Sequence, residues 1–421
     1  MRAVFDDGDD VRKRAWSLGV VGAIGLVTSA IACGAPKRTG PETTVTHTTA
    51  GVAAVPATTT SDASARPADR QVLLDDARES YGSPGLLAVV RHGDSEWRGF
   101  SGHADVNGAE LMDTTRFRIA SITKPIVALL VLDAVSRGEL SLDSQVSEVI
   151  PGVLPADPPT TVRMLLDHSS GIFNVGDEGD ITADIAKLTD PVLQAQAADL
   201  GNRYLAGEHV TIPDRLYVAL ALTHPRYFEP GRGYHYSNVN YQLAAMALTR
   251  ATGRTLADLL RSKVVDRLGL RRTTLATDDG DAPEMRGYGP DAAGGSLTDL
   301  TDELLALGNG GSGGVISTGG ELLTIMQAIV AGDLLPAPLA AEMKHATIES
   351  EGSYGLGVAT YRMSCGTFYG HGGAMSGTRS IALASDDGSN GVVIAANVKG
   401  DGDRPDLLPL AESLICSAID L

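Results

Sequence analysis

Strand-forming stretches stand at both ends of this chain and helix-forming stretches fill its middle, an order that restricts the fold more than any other feature. Gln71 to Tyr81 has helical character. Leu86 to Arg91 and Trp97 to Gly102 read as two strands around the turn signal His92-Gly93-Asp94. From Ser121 onward, Ile126, Leu129, Leu130, Leu132 and Val135 recur at helical spacing, and Gly138 marks the stop. A mostly helical region follows from Val162 to Leu270, including the alanine-rich amphipathic run Tyr241 to Leu268, interrupted by Gly253. Leu304 to Leu307 reads as a helix end. Strands return at Gly357–Met363, Thr367–His371, Arg379–Ala384 and Gly391–Val398, before a last helix over Leu407–Ile419. Distant strands of this kind pair across the fold, so the order predicts an α+β class. One antiparallel sheet is built from N- and C-terminal strands, and a mostly helical lobe is inserted between them.

A formal net charge of -18 over 421 residues repels nucleic-acid phosphates and excludes DNA and RNA as partners. Cys33, Cys365 and Cys416 form no CxxC pair, and the histidines show no HExxH spacing. Neither a structural metal nor a cofactor is expected. Two readings of Cys365 and Cys416 stand: a disulfide in an exported protein, or two buried thiols.

Residues 1–33 have the layout of a signal peptide. Arg12, Lys13 and Arg14 precede an apolar run from Ala15 to Ala32 that ends at Cys33-Gly34. A cysteine directly after Ala-Ile-Ala resembles the lipobox of bacterial lipoproteins, which implies lipidation of Cys33, although Ala30 stands where that motif prefers Leu, Val or Ile. The alternative is an uncleaved signal anchor, since the run is just long enough to span a bilayer. Asp6, Asp7, Asp9 and Asp10 do not suit such a leader, so translation is expected to begin at Val11; N-terminal sequencing of the precursor decides this. Residues 34–67 are rich in Thr, Ala and Pro, lack the large apolar residues that build a core, and read as a disordered tether. Residues 68–421 form the globular domain.

The strongest chemical signal is Phe117-Arg118-Ile119-Ala120-Ser121-Ile122-Thr123-Lys124. On a helix, Ser121 and Lys124 share one face, a turn apart. A serine hydroxyl is a poor nucleophile until a neighbour takes its proton, and a lysine in an apolar pocket with a lowered pKa can do so. Ser121 at a helix N-terminus also meets backbone N–H groups that favour developing negative charge. By itself the pair is a weak signal. Two later stretches strengthen it: Tyr236-Ser237-Asn238 after the Pro230-Gly231 turn, and His371-Gly372-Gly373 after a short apolar strand. In this order and with these wide gaps, the three boxes resemble those of class C β-lactamases, D-alanyl-D-alanine carboxypeptidases and related carboxylesterases. Leu165-Leu166-Asp167-His168-Ser169-Ser170-Gly171, Gly313-Gly314-Val315-Ile316-Ser317-Thr318 and Tyr354-Gly355-Leu356-Gly357 fit as well, and the likeness covers Gln71 to Ile415.

The resemblance implies a β-lactamase/transpeptidase-like serine hydrolase. Ser121 would be acylated, while Lys124 and Tyr236 share the proton traffic without either being assigned as the base. Asn238 would bind the amide of the acyl group. The backbone N–H groups of Ser121 and Ala374 would form the oxyanion hole. Gly372 and Gly373 would let substrate approach the strand edge. The third box departs from the usual Lys-Thr-Gly. Gly372 lacks a hydroxyl and His371 is the weaker cation, which counts against a carboxylate-bearing substrate. Arg379 is either a substitute carboxylate contact or a surface arginine.

The expected substrates are D-amino-acid peptides of the cell wall, met by a lipoprotein on the outer face of the bacterial membrane. Small acyl esters, β-lactams and a non-catalytic relative that binds peptidoglycan or a partner are the alternatives. His168 is expected in a structural turn, and Tyr234 and Tyr241 in packing. Gly310-Gly311-Ser312-Gly313-Gly314 matches a nucleophile elbow but lacks the strand before it, so it reads as a flexible glycine loop. The overlapping GxGxxG match from Gly308 lacks that strand too, which excludes a dinucleotide site.

Overall fold

The computed structural model describes residues 67–175, 181–206, 208, 210–276, 282–290, 296–301, 306–307, 310–375, 377–398 and 406–419. Cys33, the apolar run before it and the tether up to residue 66 lie outside these. Helix α1 (Pro67–Tyr81) leads into strands β1 (Gly85–His92) and β2 (Ser95–Gly102). Strand β3 (Arg116–Arg118) runs into helix α2 (Thr123–Ser136). The inserted region contains α3 (Val162–Leu166) and α4 (Asn238–Thr252). Strand β4 (Val315–Thr318) and helix α5 (Gly319–Ala331) follow. Then come β5 (Ala359–Met363), β6 (Gly366–Met375), β7 (Thr378–Ser385), β8 (Asn390–Ala396) and α6 (Leu408–Ile419).

The main sheet has the order β5-β6-β7-β8-β1-β2, antiparallel throughout. The two ends of the chain meet at its centre, where Leu86 faces Ala396 and Val90 faces Val392. Side chains alternate between the two faces of a strand. Leu86, Ala88 and Val90 pack with Val392 and Ile394 against Leu74 of α1 and Leu410 and Leu414 of α6. Leu87, Val89 and Val393 point the other way, into the larger core shared with α5 and α2. Helices cover both faces, so these strands are apolar at nearly every position. Each fully buried Leu or Val contributes roughly 1.5–3 kcal/mol.

Helix α2 is buried on all sides, from Ile126 through Leu132. Lys124 in its first turn is fully buried as well, so its charge must be answered locally. Helix α4 begins at Asn238 rather than Tyr241, because the buried Asn238, Asn240 and Gln242 of its first turns all find hydrogen-bond partners. It ends where Gly253 turns left-handed (φ 66°), and Leu256–Leu260 starts a separate helix. The short run Ala306–Leu307 is a strand, paired in parallel with Thr211–Ile212, and not a helix end. A run this short has no periodicity to separate the two. Strand β6 extends past His371 to Met375, since its glycines lower strand propensity without preventing pairing to β7. Cys365, in the β5–β6 turn, forms a disulfide with Cys416 of α6, which resolves the two readings of this pair.

Candidate active site

The approach to Ser121 is fixed by pairing of β3 with β4, in which Phe117 faces Ser317. The Ile119 N–H donates to the Val315 carbonyl at 3.1 Å. A single 3-10 turn, Ala120–Ile122, then carries Ser121 into α2. Ser121 thus stands in the turn ahead of the helix. Ala120 has φ 49°, a left-handed conformation that costs a residue with a Cβ about 1–3 kcal/mol and concentrates at functional sites.

The Lys124 ammonium donates to three acceptors, each at 2.9 Å: Ser121 Oγ, Asn238 Oδ1 and the Ser312 carbonyl. An ammonium has three hydrogens, so this set offsets the desolvation of a fully buried cation. Nζ also lies 4.8 Å from the centre of the Tyr236 ring and 5.7 Å from that of Tyr241.

Asn238 is held by its own N–H, which donates to Asn174 Oδ1 at 2.9 Å. The resemblance implies a substrate contact for Asn238. Its carbonyl oxygen holds Lys124, which leaves the NH2 group as the donor for an acyl carbonyl. The half-buried Tyr236 packs among rings, with centroids 4.4 Å from His168, 6.0 Å from His371 and 6.5 Å from Tyr354.

His371 departs from the expected weak cation. Burial, followed by the Lys124 charge, pushes it down to about 3, so it is neutral. Its Nδ1–H donates to the Gly372 carbonyl, and its Nε2 accepts from the Tyr354 hydroxyl at 3.1 Å. Burial also lifts the Tyr354 phenol well above its ordinary value and keeps it protonated.

The strand beside His371 has a second neighbour besides any substrate. Strand β5 pairs with β6 only from Gly366 to Gly370. From His371 to Met375, β6 keeps β7 on one edge and has no strand partner on the other among the described residues. The same stretch of β6 packs on the Ala120–Ile122 turn. A Cβ on Gly373 would lie 2.3 Å from the Ile119 carbonyl oxygen and 2.6 Å from Ser380 Oγ. Gly373 makes room for the nucleophile's own segment. Ala374, the next residue on this strand, faces Arg379 of β7 in the register.

Sequence reasoning missed the supports. The Gly310–Gly314 stretch is an anchored wall, not a free loop: the Ser312 carbonyl binds Lys124, and its N–H donates to Gln242 Oε1 at 3.0 Å. Asn174, Gln242 and Tyr354 were given no role. One signal was available, since Asn238, Asn240 and Gln242 put polar groups into a helix that is otherwise core.

A serine hydroxyl bonded to a buried lysine, a tyrosine over that lysine and a free strand edge beside the serine are together the parts of a serine hydrolase. The sequence matches the Beta-lactamase family over residues 70–414, and the chain belongs to that family. It is 35% identical over 217 residues to Esterase EstB of Burkholderia gladioli, covering 50% of this chain and 52% of that protein. It is 26% identical over 306 residues to a D-aminopeptidase of Brucella anthropi, covering 72% and 54%. The chain thus spans about half the length of these curated relatives. Among solved structures it is similar to a D-stereospecific amidohydrolase from Streptomyces sp., with a TM-score of 0.65, 28% identity, and coverage of 82% of this chain and 98% of the other.

Proposed function

We propose that this protein hydrolyses D-aminoacyl amides or peptides through an acyl-Ser121 intermediate. The observation that carries the reading is the 2.9 Å contact between Ser121 Oγ and the fully buried Lys124 Nζ. In the reactive state one of Lys124 and Tyr236 is unprotonated, as a neutral amine or a phenolate; Ser121 Oγ attacks the acyl carbon and its proton passes to that group. The oxyanion takes the N–H groups of Ser121 and Ala374, and the Asn238 NH2 takes the acyl-side carbonyl. The amine leaves with the proton, and water then repeats the sequence on the ester.

Two things favour a D-aminoacyl group: the likeness to a D-aminopeptidase and that to a D-stereospecific amidohydrolase. The neutral His371 and the missing hydroxyl at Gly372 speak against a leaving group with a free carboxylate. The reading therefore moves from a carboxypeptidase toward an amidase or aminopeptidase. A carboxylesterase is the second reading, favoured by the likeness to EstB and by the same uncharged third box.

The proposed location is the outer face of the bacterial membrane, through a lipid on Cys33. The leader pattern and the Cys365–Cys416 disulfide, a bond of oxidising compartments, support export. A Cys33→Ser variant should leave the membrane fraction; one that stays there speaks against the lipid.

Turnover of D-phenylalanine amide, its L enantiomer, D-alanyl-D-alanine and p-nitrophenyl acetate tests the chemistry. The D-amide should be preferred, and Ser121→Ala should lose about 10⁴-fold or more in rate. Turnover of the ester alone would favour the second reading, and an active Ser121→Ala variant would remove the nucleophile.

A further inference from the structure

The expected role of His168 is that of a structural turn residue, but its contacts converge on Tyr236. Its carbonyl accepts from the His235 N–H at 3.1 Å, and its ring Nδ1 accepts from the Ser237 N–H at 3.2 Å. It therefore grips the chain on both sides of Tyr236, while its ring lies 4.4 Å from the Tyr236 ring, centre to centre. The reach is possible because His168 itself is left-handed, at φ 60°. The turn around it is tied to the same loop elsewhere, with Gly231 N–H on the Ser169 carbonyl at 2.8 Å.

The tautomer follows from the partners. Asn240 Oδ1 accepts from Ser170 Oγ at 2.6 Å, so the Asn240 NH2 is the group facing His168 Nδ1 at 3.1 Å. With two donors aimed at it, Nδ1 carries no hydrogen, and the neutral ring is protonated on Nε2. Nε2 is buried and has no hydrogen-bond partner among the described residues. It sits in a ring-lined space, with Tyr354 at 5.0 Å, Tyr241 at 5.3 Å and Tyr234 at 6.1 Å from the imidazole centre. Burial, with Lys124, His371 and His235 nearby, keeps the ring neutral.

We propose that His168 is a positioning residue for the reaction, whose neutral imidazole and carbonyl clamp the 235–237 segment so that Tyr236 and Asn238 stay in register with Lys124 and Ser121. It touches neither substrate nor the reacting atoms. The inference rests on the serine hydrolase reading above, but not on which acyl group is cleaved.

The test uses a fluorophosphonate probe, which reads the nucleophile whatever the natural substrate. Ser121 Oγ bonds to phosphorus, the P–F bond breaks, fluoride leaves and the hydroxyl proton passes to the Lys124–Tyr236 pair. Labelling rates are measured by intact mass on wild type, His168→Ala and His168→Asn, with circular dichroism to establish that each is folded at the assay temperature. Asn tolerates the left-handed backbone and places an acceptor near the Nδ1 position. Folded His168→Ala should label about a hundredfold more slowly, the usual effect of a small misplacement. His168→Asn should recover about tenfold of that, through the restored hydrogen bond. If the alanine variant does not fold, His168→Asn is compared with wild type directly and should still be slower. Wild-type labelling rates in either folded variant would overturn the proposal, and an asparagine variant no faster than alanine would overturn the role given to Nδ1. A wild type that does not label would instead bring down the serine hydrolase reading itself.

Discussion

The two walls of the cleft are made of different material. On the helical side, Tyr236, Asn238, Asn174 and His168 act through side chains, each held by named partners. On the opposite side, the edge of β6 from His371 to Met375 and the Gly310–Gly314 stretch present mostly backbone. Both walls meet at Lys124, which takes one acceptor from each and a third from Ser121. The difference separates two kinds of vulnerability. A side-chain wall fails when a hydrogen-bonding group is removed. A backbone wall fails when an atom is added, because its N–H and C=O groups cannot be mutated but can be pushed apart.

Gly373→Ala is the most severe way to break the backbone wall. The added Cβ would meet the Ile119 carbonyl, which cannot yield without moving the turn that holds Ser121. We expect overpacking to reduce stability by about 1–3 kcal/mol. Turnover in the folded protein should fall about a hundredfold or more, as for the loss of an oxyanion donor. Thermal melts and steady-state rates check the two separately. Wild-type turnover in this variant would mean that β6 does not set the position of the nucleophile.

A smaller effect comes from the one ionisable side chain of the backbone wall. The unfolded chain protonates His371 near 6.5, but the folded chain holds it neutral down to about 3. Between those values the unfolded state binds the extra proton. Stability is therefore complete above about pH 6.5 and is lost as the pH falls toward 3, by about 1.4 kcal/mol per unit for each such imidazole. Burial of His168 acts in the same direction. From pH 7 to pH 5, wild type should lose about 2 kcal/mol more than His371→Asn, read from urea midpoints. Equal losses would show that His371 is not held neutral.

The walls also differ in how well the sequence reports them. The sheet is legible because Leu86 to Val90 and Val392 to Ala395 are apolar at consecutive positions and covered on both faces. Ser121, Lys124, Tyr236, Asn238 and His371 are legible because they fall in three short boxes whose order and wide gaps can be compared with those of a family. What holds them is not. Asn174 meets Asn238, Ser312 meets Lys124 and Tyr354 meets His371 across folds of the chain that no local period encodes. The charge of His371 was misjudged for the same reason, since its burial follows from tertiary packing and a neighbouring Lys124. The packing of Gly373 on the Ile119 carbonyl is not legible either, because strand propensity does not say which segment lies against a strand.

Ser312 gives the finest test of the contrast, and the smallest expected effect. Its Gly-x-Ser-x-Gly setting looks like a nucleophile's, and a serine in that role would cost about 10⁴-fold or more when replaced. In the structure its contributions are the carbonyl that accepts from Lys124 and the N–H that donates to Gln242. Alanine keeps both and adds no atom. If this wall is backbone, Ser312→Ala should turn over within about threefold of wild type, under 1 kcal/mol in the barrier. Replacing Gln242 on the facing helix, which removes the acceptor of the same N–H, should cost more than replacing Ser312 itself. A Ser312→Ala variant weaker than Gln242→Ala would place chemistry in the Ser312 hydroxyl and dissolve the distinction between the two walls at the point where they meet.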